Sequence, residues 1–520
     1  MDAKPIPEIP QAQAKEGSLT RRAKLTFVSS FLQQAARFVV GFGVTPIVIR
    51  GLGVELYGAW AMLRQSAGYI ALSDLRPMGT LKFTLAVRQH SDDLEEKKRQ
   101  IGAALIVWAF TFPLFITVGI GAIWAAPYFI RTLPQYAWPI RLAMGFMVLS
   151  VALDRLLSLP ANVLRGMNLD YKAMGLNAVT ILLGGLFTVL AIWGGWGLPG
   201  VAAASICGVL VASGVRFLVA RQVLPWFGVV RPSRKELVEF AKLSAWLFFS
   251  SLGGILLLAS DLIVVGWILG PAAAAVYATT GGALRLFMAP VQDLLSSGTP
   301  GISEICGREG WQRLEQIRTE MYLVALSCIA VIGGGILSLN QSFLHLWVGD
   351  GFYGGNLLNL LLVLIAFEMI LYRVDAAIVN SMLQFRAIAS ITLTYGALSL
   401  CLGGVLAWAW GLPGMALGVF LGRLGLVFYL PPLIYRKGIS MEKHLKSIWR
   451  PTIAVFILLF LSYLLCQVLR PATWLTLLIT AIFIGSASFA LFLTFGVNRD
   501  DRKMLKKRFS TFLPMLAGKT

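Results

Sequence analysis

The sequence predicts an all-α polytopic membrane protein with about 14 transmembrane helices, built as two pseudo-symmetric six-helix bundles followed by two further helices. Three observations carry this prediction. Charge is scarce: 57% of the 520 residues are hydrophobic and 13% charged, whereas soluble domains carry about 25% charge. Apolar windows of about 20 residues, the length that crosses a hydrocarbon core, recur between Gly, Pro and charged breaks. One long segment also occurs twice. Arg155, Asn162 and Trp193 precede Trp196-Gly197-Leu198-Pro199-Gly200, and Arg373, Asn380 and Trp408 precede Trp410-Gly411-Leu412-Pro413-Gly414.

The two copies lie 218 residues apart at the arginine and 214 at the glycine. Weaker matches fall on the same diagonal: Leu52-Gly53 with Leu269-Gly270, Tyr57 with Tyr277, and Asp74-Leu75 with Asp293-Leu294. A duplicated unit of about six spans explains all of them. It divides the chain into an amino-terminal tail (1–24), a first bundle (25–230), a second bundle (231–440), two added spans (441–495) and a basic tail (496–520).

Taken in order, residues 1–20 are polar and lead into the basic cluster Arg21, Arg22 and Lys24. No short apolar stretch with a small-residue cleavage site precedes that cluster, so the first span is expected to act as the insertion signal. Spans are expected near 25–48, 57–81, 101–126, 139–163, 173–194, 199–220, 241–268, 274–297, 317–339, 356–380, 387–410, 413–434, 451–469 and 472–495. Of the 45 Lys and Arg, 33 fall on one set of alternating loops and tails, and only Arg50, Arg131, Arg141 and Arg470 on the other. The positive-inside rule then places both termini in the cytoplasm. The charged segments 88–100, 302–320 and 436–450 read as amphipathic cytoplasmic connectors, and the opposite loops are too short for an ectodomain.

The formal charge of +20 belongs to those cytoplasmic loops, facing anionic lipid, and implies no nucleic-acid partner. Cys207, Cys306, Cys328, Cys401 and Cys466 are far apart and mostly within apolar runs, which predicts small buried hydrophobes rather than disulfides. The three histidines lie in separate loops, and no phosphate-binding glycine-lysine loop occurs. No metal site, cofactor or catalytic residue is expected, and the chain reads as a non-enzyme.

An ionisable group in hydrocarbon costs at least about 2.5–3.5 kcal/mol, so each one faces a partner or a wet cavity. The shortlist is Arg37, Arg64, Arg76, Arg155, Arg216, Arg285, Arg373 and Arg423 with Asp74, Asp154, Asp261, Asp293, Glu368 and Asp375. Seven residues turn a helix by about 700°, so Arg155 and Asn162 share a face, as do Arg373 and Asn380. Both pairs aim a cation and an amide toward a cavity between the halves. Further stripes are Gln33, Arg37, Gly41 and Thr45; Arg285 and Gln292; and Glu368, Tyr372 and Asp375. Cavity candidates are therefore Arg37, Arg64, Arg155, Asn162, Arg285, Arg373 and Asn380. Ion pairs of Asp154 with Arg155 and of Asp375 with Arg373 are the structural alternative. Arg76, Arg216 and Arg423 lie close enough to span ends to snorkel, and Asp74 and Asp293 close enough to anchor basic loops. The Trp-Gly-Leu-Pro-Gly repeats read as tight turns with interfacial tryptophans.

Arg50-Gly51-Leu52-Gly53-Val54-Glu55-Leu56-Tyr57-Gly58, Ser73-Asp74-Leu75 and Asn162-Val163-Leu164-Arg165-Gly166 resemble the multidrug/oligosaccharidyl-lipid/polysaccharide (MOP) flippase superfamily. The resemblance is strongest to its polysaccharide-transporter branch, the Wzx-type O-antigen and exopolysaccharide repeat-unit flippases. That family often has Asp-x-Gly in the second span, where this chain has Asp74-Leu75-Arg76. The resemblance implies an inner-membrane flippase for a polyprenyl-pyrophosphate-linked oligosaccharide, working by alternating access among membrane lipids, beside glycosyltransferases and a polysaccharide polymerase. Fixed arginines in a wet cavity would replace the pyrophosphate's lost hydration, and Asn162 and Asn380 would meet sugar hydroxyls. Ion coupling would need buried carboxylates: Asp154, Asp261, Glu368 or Asp375. A cation-coupled multidrug exporter and a lipid II flippase are the competing functions, the first expected to want a net acidic cavity. A polymerase or ligase would be expected to carry a large outer loop.

Overall fold

A run of Leu, Val, Ile, Ala and Gly in lipid must satisfy its own backbone, and the helix does so within one segment. The computed structural model describes residues 16–88, 91–167, 169, 171–297, 311–382, 385–435, 441–499 and 501–503, and every long element among them is helical. The first half comprises α1 (Glu16–Ile70), α2 (Pro77–Val87), α3 (Leu94–Ile130), α4 (Ala137–Leu157), α5 (Leu159–Gly166), α6 (Tyr171–Trp193) and α7 (Gly197–Val223). The second comprises α8 (Arg234–Ala259), α9 (Asp261–Leu269), α10 (Pro271–Thr280), α11 (Gly282–Ser297), α12 (Trp311–Trp347), α13 (Asn356–Ser381) and α14 (Phe385–Tyr435). Two more helices follow, α15 (Met441–Leu465) and α16 (Trp474–Leu491).

The protein is a multi-pass membrane protein. Ten described helices are long and apolar enough to cross a membrane, or eleven if the α4–α5 pair, bent by 43°, counts as one span. The sequence reading divides the chain more finely for identifiable reasons. α1 and α14 each run through two expected spans, and each contains one non-helical glycine, Gly53 (φ 76°, ψ 170°) or Gly411 (φ 65°). The expected seventh and eighth spans are broken into α8–α9 and α10–α11.

The duplication is visible in the backbone. Gly270, the counterpart of Gly53, has φ 91° and ψ 167°, a region essentially closed to other residues. Gly197, the counterpart of Gly411, has φ 55°. Both kinks therefore recur where the sequence repeats. The halves differ at one proline. Pro160 removes a backbone donor and breaks the helix after Arg155, whereas Ile378 at the matching position leaves α13 unbroken through Asn380.

α1 packs along α6, and α4 along α7, while α13 and α8 both lie against α14. The halves meet where small residues permit close approach. Gly58 lies so near α10 that a Cβ there would stand 1.7 Å from the Pro271 carbonyl oxygen. At one end Arg99 Nε donates to Glu236 Oε1 at 3.0 Å, and Ser244 Oγ donates to Thr80 Oγ1 at 2.9 Å. α15 and α16 rest on α12, where Ser338 Oγ donates to the Ser462 carbonyl at 3.1 Å. The expectation of buried cysteines holds for Cys466 alone. Cys207 and Cys401 are exposed on the outward faces of their helices, and Cys328 is partly buried against the core. Cys306, the connector 302–310 and the basic tail beyond 503 lie outside the described residues.

Candidate functional site

The break between α1 and α2 places one acid in the first half. Leu75 and Arg76 both adopt left-handed backbone, φ 56° and 55°, at a cost of about 1–3 kcal/mol each. Asp74 holds this turn by accepting the Arg76 N–H at 2.8 Å, and Thr111 Oγ1 donates to the Asp74 carbonyl at 3.0 Å. The carboxylate is buried, and Arg155 Nε lies 3.5 Å from its Oδ2. The expected neighbour pair of Asp154 and Arg155 is thus replaced by a pair 81 positions apart. Adjacent residues on a helix point about 100° apart, which leaves Arg155 free to meet α1. Arg76 does not snorkel as expected. It is half-buried and acts electrostatically on both Asp74 and Arg155.

In the second half Asp293 on α11 attracts Arg373 on α13 at longer range, without the close ion pair that joins Asp74 to Arg155. The two acids are 219 residues apart and the two arginines 218. A third cation joins this second group from the other half. Arg37 Nη1 on α1 reaches Asp293 Oδ2 at 3.5 Å and Gln34 Oε1 at 3.3 Å. Both partners of the inter-half pair are exposed, at 46% and 65%, so the junction between α1 and α11 is open. The sequence diagonal contains both acids and both arginines, but nothing in it says that they pair.

Asp375 does not pair with Arg373. Its partner is Arg318 on α12, at 2.8 Å, with both side chains almost wholly buried. Arg318 also lies over the Tyr322 and Tyr435 rings, at 5.5 and 5.3 Å. The sequence reading places Arg318 in a basic cytoplasmic loop. The structure instead puts it seven residues inside α12, where Tyr322 follows at i+4 on the same face; that spacing is the one available signal.

A second buried group surrounds Arg423, which is 3% exposed and does not snorkel. It attracts Asp261 and Glu368 and interacts with Tyr277, whose hydroxyl donates to Asp261 Oδ2 at 3.0 Å. Both carboxylate oxygens of Glu368 and two nitrogens of Arg423 are buried without a hydrogen-bond partner. Arg216, also expected to snorkel, donates to the buried Asn177 Oδ1 at 3.1 Å. Near the junction, Arg64 and Arg285 remain exposed. Arg285 acts electrostatically on Tyr57 and on its duplicate Tyr277, and donates to the Ala278 carbonyl at 2.5 Å.

The amides behave unequally. Asn162 Nδ2 donates to the Ser158 carbonyl at 3.0 Å, spanning the bend that Pro160 creates. The expectation that Arg155 and Asn162 share one helical face is corrected by that 43° bend. Asn380 is half-buried near the end of the unbroken α13.

A family model described as polysaccharide biosynthesis protein matches residues 26–306 of this chain. An uncharacterized membrane protein of Bacillus subtilis (strain 168), EpsK, is 23% identical over 505 residues, covering 90% of this chain and 94% of that protein. Two solved structures share the fold. The lipid II flippase MurJ, in an inward closed conformation, is 14% identical with a TM-score of 0.65 over 90% of this chain and 97% of that one. A multidrug resistance MATE family transporter of the MOP superfamily, inward-facing, is 16% identical with a TM-score of 0.61 over 78% and 96%.

Proposed function

Because this chain belongs to the polysaccharide biosynthesis protein family, we propose that it is a flippase carrying a polyprenyl-pyrophosphate-linked oligosaccharide across the bacterial cytoplasmic membrane by alternating access. Glycosyltransferases would supply this substrate on the inner face and a polymerase would consume it outside. The distribution of Lys and Arg supports cytoplasmic termini.

One observation carries the reading: Arg37, Arg64 and Arg285 remain exposed on α1 and α11, two helices of opposite halves that the Arg37–Asp293 pair links, with Arg373 one partner away through Asp293. Charge exposed at that position calls for water rather than hydrocarbon. Bidentate guanidinium donors suit a pyrophosphate that has lost its hydration. Arg155, paired with Asp74, and Arg373, attracted by Asp293, are the arginines that take up the phosphate as the halves move. Asn380 is the amide assigned to sugar hydroxyls, with Asn162 contributing only its remaining oxygen. Asp375 is taken up by Arg318, and Asp154 lies beside the Asp74 group. Asp261 and Glu368, which share Arg423, are therefore the carboxylates assigned to ion coupling.

The test uses a strain lacking the chromosomal copy. Arg155→Ala, Arg373→Ala and the double variant should insert at wild-type levels, abolish surface polysaccharide and accumulate the lipid-linked repeat unit. Full export by the double variant refutes the cationic mechanism.

A further inference from the structure

At the end of the bundle opposite the Arg99–Glu236 pair, α9 and the first arm of α14 leave an open apolar groove between them. Its volume is about 470 Å³, and Val264, Trp267, Ile268, Cys401, Gly404 and Trp408 line it. Gly404 forms the floor: a Cβ there would sit 3.6 Å from Ile268 Cδ1 and 3.7 Å from Val264 Cγ1, so the space begins where a side chain would stand. The two indoles at its flanks are 48% and 83% exposed, as tryptophans at a membrane interface are. Walls of this kind accept hydrocarbon and discriminate nothing by hydrogen bonding.

A cation, Arg131, stands beside the lining residue Trp267. Arg131 closes α3 in a left-handed C-cap, φ 53°, which turns its exposed side chain back over Trp267 with the guanidinium 5.6 Å from the ring centroid. Among the described residues Arg131 meets that ring and forms no ion pair, which leaves its exposed guanidinium facing the rim. An apolar slot with a guanidinium at its interfacial end matches a lipid whose phosphate carries net negative charge.

We propose that this groove binds an anionic glycerophospholipid, with an acyl chain between α9 and α14 and the phosphate on Arg131. Arg131 belongs to the first half and the groove to the second, so the site is complete only when the end of α3 stands beside α9. The lipid therefore favours this arrangement of the halves over any that separates them, because a ligand stabilises the state that it binds better. The proposal rests on the groove and its cation alone and is independent of the transported substrate.

The experiment reconstitutes the full chain in an equimolar mixture of phosphatidylglycerol and phosphatidylethanolamine and measures retained lipid by native mass spectrometry. Wild type should retain phosphatidylglycerol in preference. Arg131→Asn, whose new residue tolerates left-handed backbone, should lower that retention about fivefold, to the level of phosphatidylethanolamine. Gly404→Leu should remove both lipids and Gly404→Ala should keep them. Equal retention of the two lipids by wild type, or wild-type retention by Arg131→Asn, overturns the proposal. So does stronger retention of undecaprenyl phosphate than of phosphatidylglycerol when that lipid is added to the mixture in equal amount, which would give the groove to the transported carrier. Should Gly404→Leu fail to fold, Arg131→Asn decides alone.

Discussion

Arg318→Ala isolates the most deeply buried ion pair among the described residues. Arg318 and Asp375 join α12 to α13 through a 2.8 Å contact with side-chain exposures of 0% and 3%. Removing the cation leaves Asp375 charged, buried and unpaired, which costs about 3–5 kcal/mol. Loss of the contacts with Tyr322 and Tyr435 adds about 0.5–2 kcal/mol. Against a net stability of about 5–15 kcal/mol, this takes a large share. The double variant Arg318→Met/Asp375→Asn removes both charges and should recover most of the loss, since a buried pair replaced by neutral groups of similar volume is often nearly neutral. Unfolding of purified wild type, Arg318→Met, Asp375→Asn and the double variant in mixed micelles of increasing denaturing detergent, followed by tryptophan fluorescence, gives the four corners of the cycle, with Arg318→Ala measured beside them. If Arg318→Ala stays within about 1 kcal/mol of wild type, or the double variant loses the sum of the two singles, the pair does not hold these helices together.

Three further outcomes follow from the same geometry. Gly58→Ala forces a Cβ to within 1.7 Å of the Pro271 carbonyl oxygen, so it should part the halves, destabilise by about 1–3 kcal/mol and raise protease sensitivity between residues 224 and 233. Arg76→Gly replaces a left-handed arginine at φ 55° and should raise stability by about 1 kcal/mol in the same micelle assay; a loss of stability refutes strain at this position. Arg37→Ala breaks a pair whose partners are 46% and 65% exposed. It should therefore change stability by less than about 1 kcal/mol while lowering polysaccharide export, and unimpaired export counts against a transport role for this arginine.

Much of the architecture was legible in the sequence because hydropathy and local backbone chemistry are local properties. The scarcity of charge gave membrane insertion, the repeated segments gave two related halves, and the Trp-Gly-Leu-Pro-Gly repeats marked turns at Gly197 and Gly411, whereas the bends at Gly53 and Gly270 appear only in the backbone. The Asp-x-Gly departure was legible too, and the structure gives its meaning: Arg76 occupies the left-handed position that glycine would fill without strain.

Partner choice was not legible. Charge pairing depends on how helices distant in sequence rotate against each other, and no spacing along one helix encodes it. Arg155 took Asp74 and Asp375 took Arg318, while Arg423 turned inward to Asp261 and Glu368. Sequence alone determined that these groups had to be compensated, because an isolated charge in hydrocarbon is too costly to keep. Only tertiary packing decided which group compensates which, because it alone sets the facing surfaces of the helices.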